Sequence, residues 1–211
     1  EGKLTLEGMM SLISEIEAQC LVDASHPFAR DVSVNAIEAC KRASIPYLRY
    51  ERPKTAACDE GVTRVKDFEE AIERLKAYEG NIFLAIGSSK LELFTRIPDF
   101  KKRMFSRVLP DSKVLNKCEA LGFDANNILA LKGPFSESMN MEMLKHCNAS
   151  VMVTKDSGIA GGNEEKISAA RKLGIPVIMV ERPGLDYGCE ASTIGEVAAF
   201  VKSIMKRRGR I

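Results

Sequence analysis

One stretch of this chain is written twice. Residues 41–53 read KRASIPYLRYERP and residues 171–183 read RKLGIPVIMVERP, a constant offset of 130 positions. Each copy opens on Ile-Pro and closes on Glu-Arg-Pro. Proline is tolerated where a strand begins or has just ended, because no ladder donor is needed there. Carried backwards without a gap, the offset lays residues 20–23 on 150–153, and Ser25-His26-Pro27 on Lys155-Asp156-Ser157. Either two α/β units have converged by chance, or one strand–loop–helix–strand unit occurs in each half and marks two similar domains. The boundary between the halves is placed near residues 76–80, which gives domains 1–78 and 79–211.

The rest of the pattern fits that unit. Met9, Leu12, Ile13 and Ile16 recur at i, i+3, i+4, i+7, which predicts an amphipathic helix over residues 4–18. The spacing returns at Ser33, Ala36, Ile37, Cys40, at Phe68, Ala71, Ile72, Leu75, and at Ile194, Val197, Ala198, Val201. Between these lie short apolar runs at 20–22, 47–48, 82–86, 128–131, 151–153 and 177–180. Such runs, bounded by Gly, Pro or polar residues, suit strands buried on both faces of a parallel sheet. Strands alternating with helices define an α/β architecture.

Composition narrows the function class. With 45% hydrophobic and 28% charged residues the chain has the make-up of a folded globular protein rather than a disordered one. No apolar run approaches the roughly 20 residues of a membrane helix. A net charge of +2, from 31 basic and 29 acidic side chains, gives no general attraction to nucleic acid. Lys101-Lys102-Arg103 and Lys206-Arg207-Arg208 read as a solvated strand end and a helix C-terminus. The six cysteines form no C-x-x-C pair and no zinc spacing, so no metal site is expected and reduced thiols in a cytoplasmic protein are.

Ligands of open α/β sheets bind beyond the carboxyl ends of the strands, and four loops fall there. Asp23-Ala24-Ser25-His26-Pro27-Phe28-Ala29 gathers a carboxylate, a hydroxyl, an imidazole and an aromatic ring. Asp23 can accept from a loop N–H and His26 can donate to an anion; alternatively Asp23 and Ser25 only cap the next helix. Gly87-Ser88-Ser89-Lys90 can cradle phosphate at a helix start, or cap it. Gly133-Pro134-Phe135-Ser136 offers close backbone approach at Gly133, and Ser136-Glu137 also reads as an ordinary helix start. Lys155-Asp156-Ser157-Gly158, with Gly161-Gly162-Asn163, presents backbone N–H groups to an anion. Glu164 and Glu165 would repel a phosphate at the following helix N-terminus, which favours a place near Lys155 and Ser157. The alternative there is a glycine turn capped by Asn163. His146, near a helix end, reads as complementing the helix dipole.

Together these segments resemble the precorrin-6A and cobalt-precorrin-6A reductase family of cobalamin biosynthesis. The resemblance rests on residues 23–29, Glu51-Arg52-Pro53, Gly133-Pro134-Phe135-Ser136-Glu137, residues 153–158 with Gly161-Gly162 and Glu165-Lys166, and Gly174-Ile175-Pro176-Val177. Ser25 stands where the family often has Thr. The resemblance implies two Rossmann-like parallel-sheet domains facing a cleft, and hydride transfer from NADPH or NADH to a double bond of a tetrapyrrole, followed by proton delivery. It implies a cofactor set of Gly87, Ser88, Ser89, Gly133, Lys155, Ser157 and Gly158, and a substrate set of Ser25, His26, Phe28 and Arg52. His26, Lys155 or water would supply the proton. A monomer is favoured. Members of the family begin with a strand and a Gly-Gly-Thr turn that do not occur here, so about 40–50 residues, more than one βαβ unit's worth, are expected to precede Glu1 and the first domain to be incomplete. Two other readings fit the same fold. One is a non-catalytic nucleotide- or tetrapyrrole-binding module. The other is an unrelated NAD(P)-dependent short-chain or sugar-nucleotide enzyme, against which stand the lack of a Tyr-x-x-x-Lys in a suitable helix and of the Gly-rich fingerprint.

Overall fold

A computed structural model describes residues 4–51, 60–158 and 161–207. All the described strands pair in parallel, in two sheets, and the chain divides into two compact units. One unit takes Glu1–Pro53 with Pro183–Ile211, and the other takes Lys54–Arg182.

In the first unit, helix α1 (Leu6–Glu15) leads to strand β1 (Leu21–Asp23), helix α2 (Arg30–Ala43) and strand β2 (Tyr47–Tyr50). The chain returns after residue 183 to add strand β9 (Glu190–Ala191) and helix α9 (Ile194–Arg207). The sheet order is β1-β2-β9. The i, i+3, i+4 faces of α1 and α2 meet, and Met9, Ile13, Ala36 and Ala39 form their shared core. Small residues on α2 let the two helices approach closely. Thr5 caps α1 by accepting from Gly8 N at 3.1 Å.

The second unit holds six strands: β3 (Val62–Val65), β4 (Asn81–Leu84), β5 (Met104–Val108), β6 (Ile128–Ala130), β7 (Ala149–Lys155) and β8 (Val177–Val180). Their order is β3-β8-β7-β4-β5-β6. Helices α3 (Phe68–Leu75), α4 (Leu91–Phe94), α5 (Phe100–Arg103), α6 (Ser112–Ala120), α7 (Glu137–His146) and α8 (Asn163–Lys172) connect them. Phe83, Met152 and Val177 from the sheet pack with Met143, Leu144, Ala169 and Ala170 from α7 and α8. From β4 the chain moves outward through β5 and β6, then returns to the other side of β4 as β7. The direction of winding thus reverses between β4 and β7.

The expected α/β class and parallel strands are observed. So is the repeat: β2 and β8 stand at the predicted offset, and α2 and α8 occupy matching positions. The division near residue 78 is not where the units part. Strand β3 pairs with β8, Val62 opposite Val177, so it is part of the second sheet, and β9 pairs with β2 in the first. Both strands are short and lack a clean apolar run, so periodicity did not reveal them. Lys101-Lys102-Arg103 is likewise not a strand end: it forms the one-turn helix α5 that precedes β5. Arg103 is held by the carbonyls of Gly80 and Tyr78 at 2.8 and 2.6 Å. Five cysteines are free thiols, and Cys58 lies outside the described residues. No helix among the described residues is long and apolar enough to cross a membrane.

Candidate active site

The loop after β1 is built on Asp23, the last residue of that strand. Its carboxylate is 5% exposed. Oδ1 accepts from Ser25 N at 2.9 Å, and Oδ2 accepts from Ser33 Oγ at 2.6 Å and Tyr47 Oη at 2.8 Å. Burial alone would raise its pKa, but these hydrogen bonds outweigh burial and hold it at about 2. Asp23 and Ser25 do not cap the next helix: α2 begins after Ala29 with no side-chain cap.

Opposite Asp23 in the sheet register is Arg49, which is fully buried. Its Nη1 lies 3.1 Å from Asp23 Oδ1 and donates to Ser25 Oγ at 3.2 Å. Its Nε donates to Glu51 at 2.8 Å, and the Tyr187 ring stacks on the guanidinium at 5.2 Å. Burial disfavours the charge on Arg49, and the hydrogen bond to Glu51 with the charges of Asp23 and Glu51 more than restores it. This network fixes the two ends of the loop. His26 is then presented at the surface with its Nδ1 accepting from Phe28 N at 3.1 Å, so Nε2 is the ring nitrogen that carries the proton. Ser25, His26 and Phe28 are thus brought together. Arg52 lies outside the described residues.

In the second unit, the loops after β4 and β7 flank the point where winding reverses, the place where open α/β sheets bind ligands. Gly87, Ser88 and Ser89 lie on one side. The helix after them, α4, is a single turn, so the dipole expected to assist a phosphate there is small. Lys155, Asp156, Ser157 and Gly158 lie on the other. Asp156 is ion-paired to Arg182 at 3.5 Å, and Ser157 Oγ donates to Asn163 Oδ1 at 3.0 Å. Asn163 is therefore the first residue of α8, buried beneath the loop, and not its cap. Among the described residues its Nδ2 has no hydrogen-bond partner, and neither has Thr154 Oγ1. Gly161 permits this arrangement: a Cβ there would stand 2.0 Å from Ser157 Oγ. Burial lowers the pKa of Lys155, whose side chain ends β7.

Gly133 lies farther along the same carboxyl edge, after β6. It shares a cavity of about 300 Å³ with Pro134, Phe135, Gly161 and Gly162, with Lys166, which the sequence offered only as part of the family motif, and with Arg107 and Asn140, which sequence reasoning did not single out. Arg107 leaves β5 between the Phe83 and Phe135 rings, with centroids at 5.7 and 4.6 Å, and donates to Asn140 Oδ1 at 2.8 Å. The available signals were weak. Arg49 stands between apolar and aromatic residues of β2, Arg107 follows Ser106 in β5, and Lys166 stands beside Ile167 and Ala170 on the buried face of α8. Ser136 caps α7 as expected, accepting from Met139 N at 3.2 Å. Among the described residues no cluster of three or more His, Cys, Asp or Glu could hold a metal ion.

Known proteins with this architecture are specific. The family described as precorrin-6x reductase CbiJ/CobK matches residues 1–204. The cobalt-precorrin-6A reductase of Priestia megaterium is 41% identical over 198 residues, 93% of this chain and 78% of that protein. The cobalt-precorrin-6A reductase of Methanothermobacter thermautotrophicus is 36% identical over 214 residues, 99% of this chain and 70% of that protein. The solved structure of CobK precorrin-6A reductase superposes with a TM-score of 0.77 at 26% identity, covering 96% of this chain and 80% of that one.

Proposed function

The chain belongs to the precorrin-6x reductase CbiJ/CobK family, and from that premise we propose that it reduces precorrin-6A or its cobalt form in cobalamin biosynthesis with NADPH or NADH as hydride donor. The observation that carries the reading is the 41% identity to a cobalt-precorrin-6A reductase along 93% of the chain. The nicotinamide part is supported by the position of the loops after β4 and β7, at the place where the winding of the second sheet reverses. The residues there fit a nucleotide. Gly87, Ser88 and Ser89 offer backbone N–H groups and hydroxyls, and Asn163 keeps a buried donor without a partner among the described residues.

The reduced nicotinamide supplies two electrons and one hydrogen as hydride, and the macrocycle then needs one proton on the adjoining atom. Two side chains are candidates to deliver it. His26 is an exposed residue whose ring is oriented by Phe28 N at Nδ1. Lys155 has its proton made easier to release by burial. Ser25 and Phe28, held by the Asp23–Arg49 network, would contact the macrocycle.

An anaerobic assay with precorrin-6A and with cobalt-precorrin-6A tests the proposal, following loss of the reduced nicotinamide's near-ultraviolet absorbance. We expect stoichiometric oxidation with one of the two tetrapyrroles. No turnover with either one, under conditions where the Priestia megaterium enzyme is active, would refute it.

A further inference from the structure

The chain that follows residue 183 meets Arg49 at two points. Arg49 N donates to Cys189 O at 2.9 Å, and the guanidinium lies over the Tyr187 ring. The turn before β9 is built to make both contacts. Asp186 Oδ1 accepts from Gly188 N at 2.9 Å, a side-chain turn that aspartate makes readily. Gly188 takes a φ of 69°, which glycine adopts at no steric cost. Cys189 N then donates to Tyr187 O at 2.7 Å. Asp186-Tyr187-Gly188-Cys189 thus delivers an aromatic ring to one face of a buried cation.

What the ring does there follows from how Arg49 is bonded. Glu51 holds Nε, and Asp23 and Ser25 hold Nη1. Nη2 is buried and has no hydrogen-bond partner among the described residues. Two held nitrogens stop the guanidinium from sliding in its own plane. They leave one freedom, a tilt about the line that joins them, which swings Nη2 out of that plane. An acceptor on Nη2 would oppose the tilt. In its absence the Tyr187 ring stands against the face, and a desolvated cation is drawn strongly to an aromatic ring. The Tyr187 hydroxyl makes no hydrogen bond among the described residues, so the ring alone carries the contact.

We propose that Tyr187 is a positioning residue: by fixing the tilt of Arg49 it fixes the loop that carries His26. A tilt draws Nη1 away from Asp23 Oδ1 and Ser25 Oγ, the bonds that tie the start of this loop to β2. Ser25 immediately precedes His26, whose Nδ1 accepts from Phe28 N at 3.1 Å while the loop keeps its turn. That hydrogen bond selects the Nε2–H form of the ring. The form of the His26 imidazole therefore reports on a tyrosine 161 positions away, through Arg49 and Ser25. The consequence for turnover rests on the function proposed above, in which His26 is a candidate to deliver the proton. The hold on the loop does not.

The test uses the whole chain and the variants Tyr187→Leu, Tyr187→Phe and Asp186→Ala. The chain has two histidines, so His146→Gln, at an exposed position, leaves one imidazole and assigns His26. Its ring nitrogens are read by long-range proton–nitrogen NMR at about pH 8.5, where an ordinary imidazole is neutral. We expect the Nε2–H form in the otherwise wild-type chain and in Tyr187→Phe. In Tyr187→Leu the two nitrogen signals should converge as the two neutral forms average. Asp186→Ala, which loosens the turn at an exposed position, should shift them the same way and less. Turnover should follow: kcat of Tyr187→Leu about tenfold lower or more, KM for the reduced nicotinamide unchanged, and Tyr187→Phe at the wild-type rate. A His26 spectrum unchanged in both Tyr187→Leu and Asp186→Ala overturns the proposal, whatever their melting temperatures. So does Tyr187→Phe perturbed as much as Tyr187→Leu. If Tyr187→Leu does not fold, Asp186→Ala decides by the same signals. A spectrum altered by Tyr187→Leu and kept by Tyr187→Phe, in a protein that turns over neither precorrin-6A nor its cobalt form, would uphold the hold on the loop and refute the reductase reading.

Discussion

Replacing Asp23 by Asn should unmask what holds the His26 loop in place. The substitution keeps the shape and removes the charge opposite Arg49, whose Nη1 lies 3.1 Å from Oδ1 with both side chains almost fully buried. Removing one partner of a buried pair typically costs about 3–5 kcal/mol, because the other charge is left behind. Glu51 remains on Arg49 Nε, which places the expected loss at the lower end, about 3 kcal/mol. The pH dependence gives a second, independent number. The folded-state pKa of Asp23, about 2, lies below its ordinary value of 3.8. Its stabilising contribution is therefore complete above about pH 4 and is lost as pH falls towards 2. That contribution is about 1–2 kcal/mol once screening is allowed for. Urea unfolding followed by circular dichroism, at intervals from pH 2 to pH 7, measures both. The difference between wild type and variant should be flat above pH 4 and shrink below it. Adding Arg49→Met to the variant should recover stability, since no buried charge is then stranded. A loss under about 1 kcal/mol, or a difference that does not narrow in acid, would refute the ion-pair account.

Three further outcomes are expected. Gly161→Ala puts a Cβ against Ser157, so the Ser157–Asn163 bond should break; nucleotide affinity should fall, with about 1–3 kcal/mol of stability lost, read by calorimetry and urea unfolding. His26→Ala, at an exposed position, should reduce turnover sharply while melting stays near wild type; equal losses in both would make His26 a packing residue. Asp67→Ala removes the acceptor for Glu70 N at the start of α3 and should cost about 1 kcal/mol in urea unfolding, with no change in ligand affinity.

How far the sequence reveals the fold follows from where its signals are strong. The β1–α2–β2 and β7–α8–β8 units were legible because Ile-Pro and Glu-Arg-Pro mark the same two strand ends twice. The true division was not, because it depends on β3 and β9. A four-residue strand reading Val-Thr-Arg-Val and a two-residue strand reading Glu-Ala carry almost no pattern, yet each decides which sheet its neighbours join. The loops at the carboxyl ends were legible from their glycines and hydroxyls. Their cations were not. Arg49, Arg107 and Lys166 lie on strands and on a helix, where periodicity treats them as exceptions, and burial of a charge can be recognised only once its surroundings are known.

The two copies of the repeat also explain why the cations are treated differently. In the first unit the register sets Asp23 opposite Arg49; in the second, Thr154 stands opposite Met179. Arg49 and Met179 are the same position of the repeated sequence. The first unit thus carries an ion pair across its strands, neutralised internally and bonded further by Ser25, Ser33, Tyr47 and Glu51, with only Arg49 Nη2 of the guanidinium left without a partner among the described residues. Its loop is fixed before any ligand arrives, as a loop must be if His26 is to meet a reacting atom in one orientation. The second unit has an uncharged pair at that place, pairs Arg182 with Asp156 just beyond it, and holds Arg107 of β5 and Lys166 of α8 without an ion pair among the described residues. A charge satisfied within the fold contributes order but can bind nothing more; a charge left unsatisfied destabilises the free protein and is available to a ligand. The offset lays Asp23 on Val153, one place before the residue opposite Met179, so a Met179→Arg, Thr154→Asp exchange, which follows the register rather than the offset, should set an ion pair across β7 and β8 and stiffen the loop after β7.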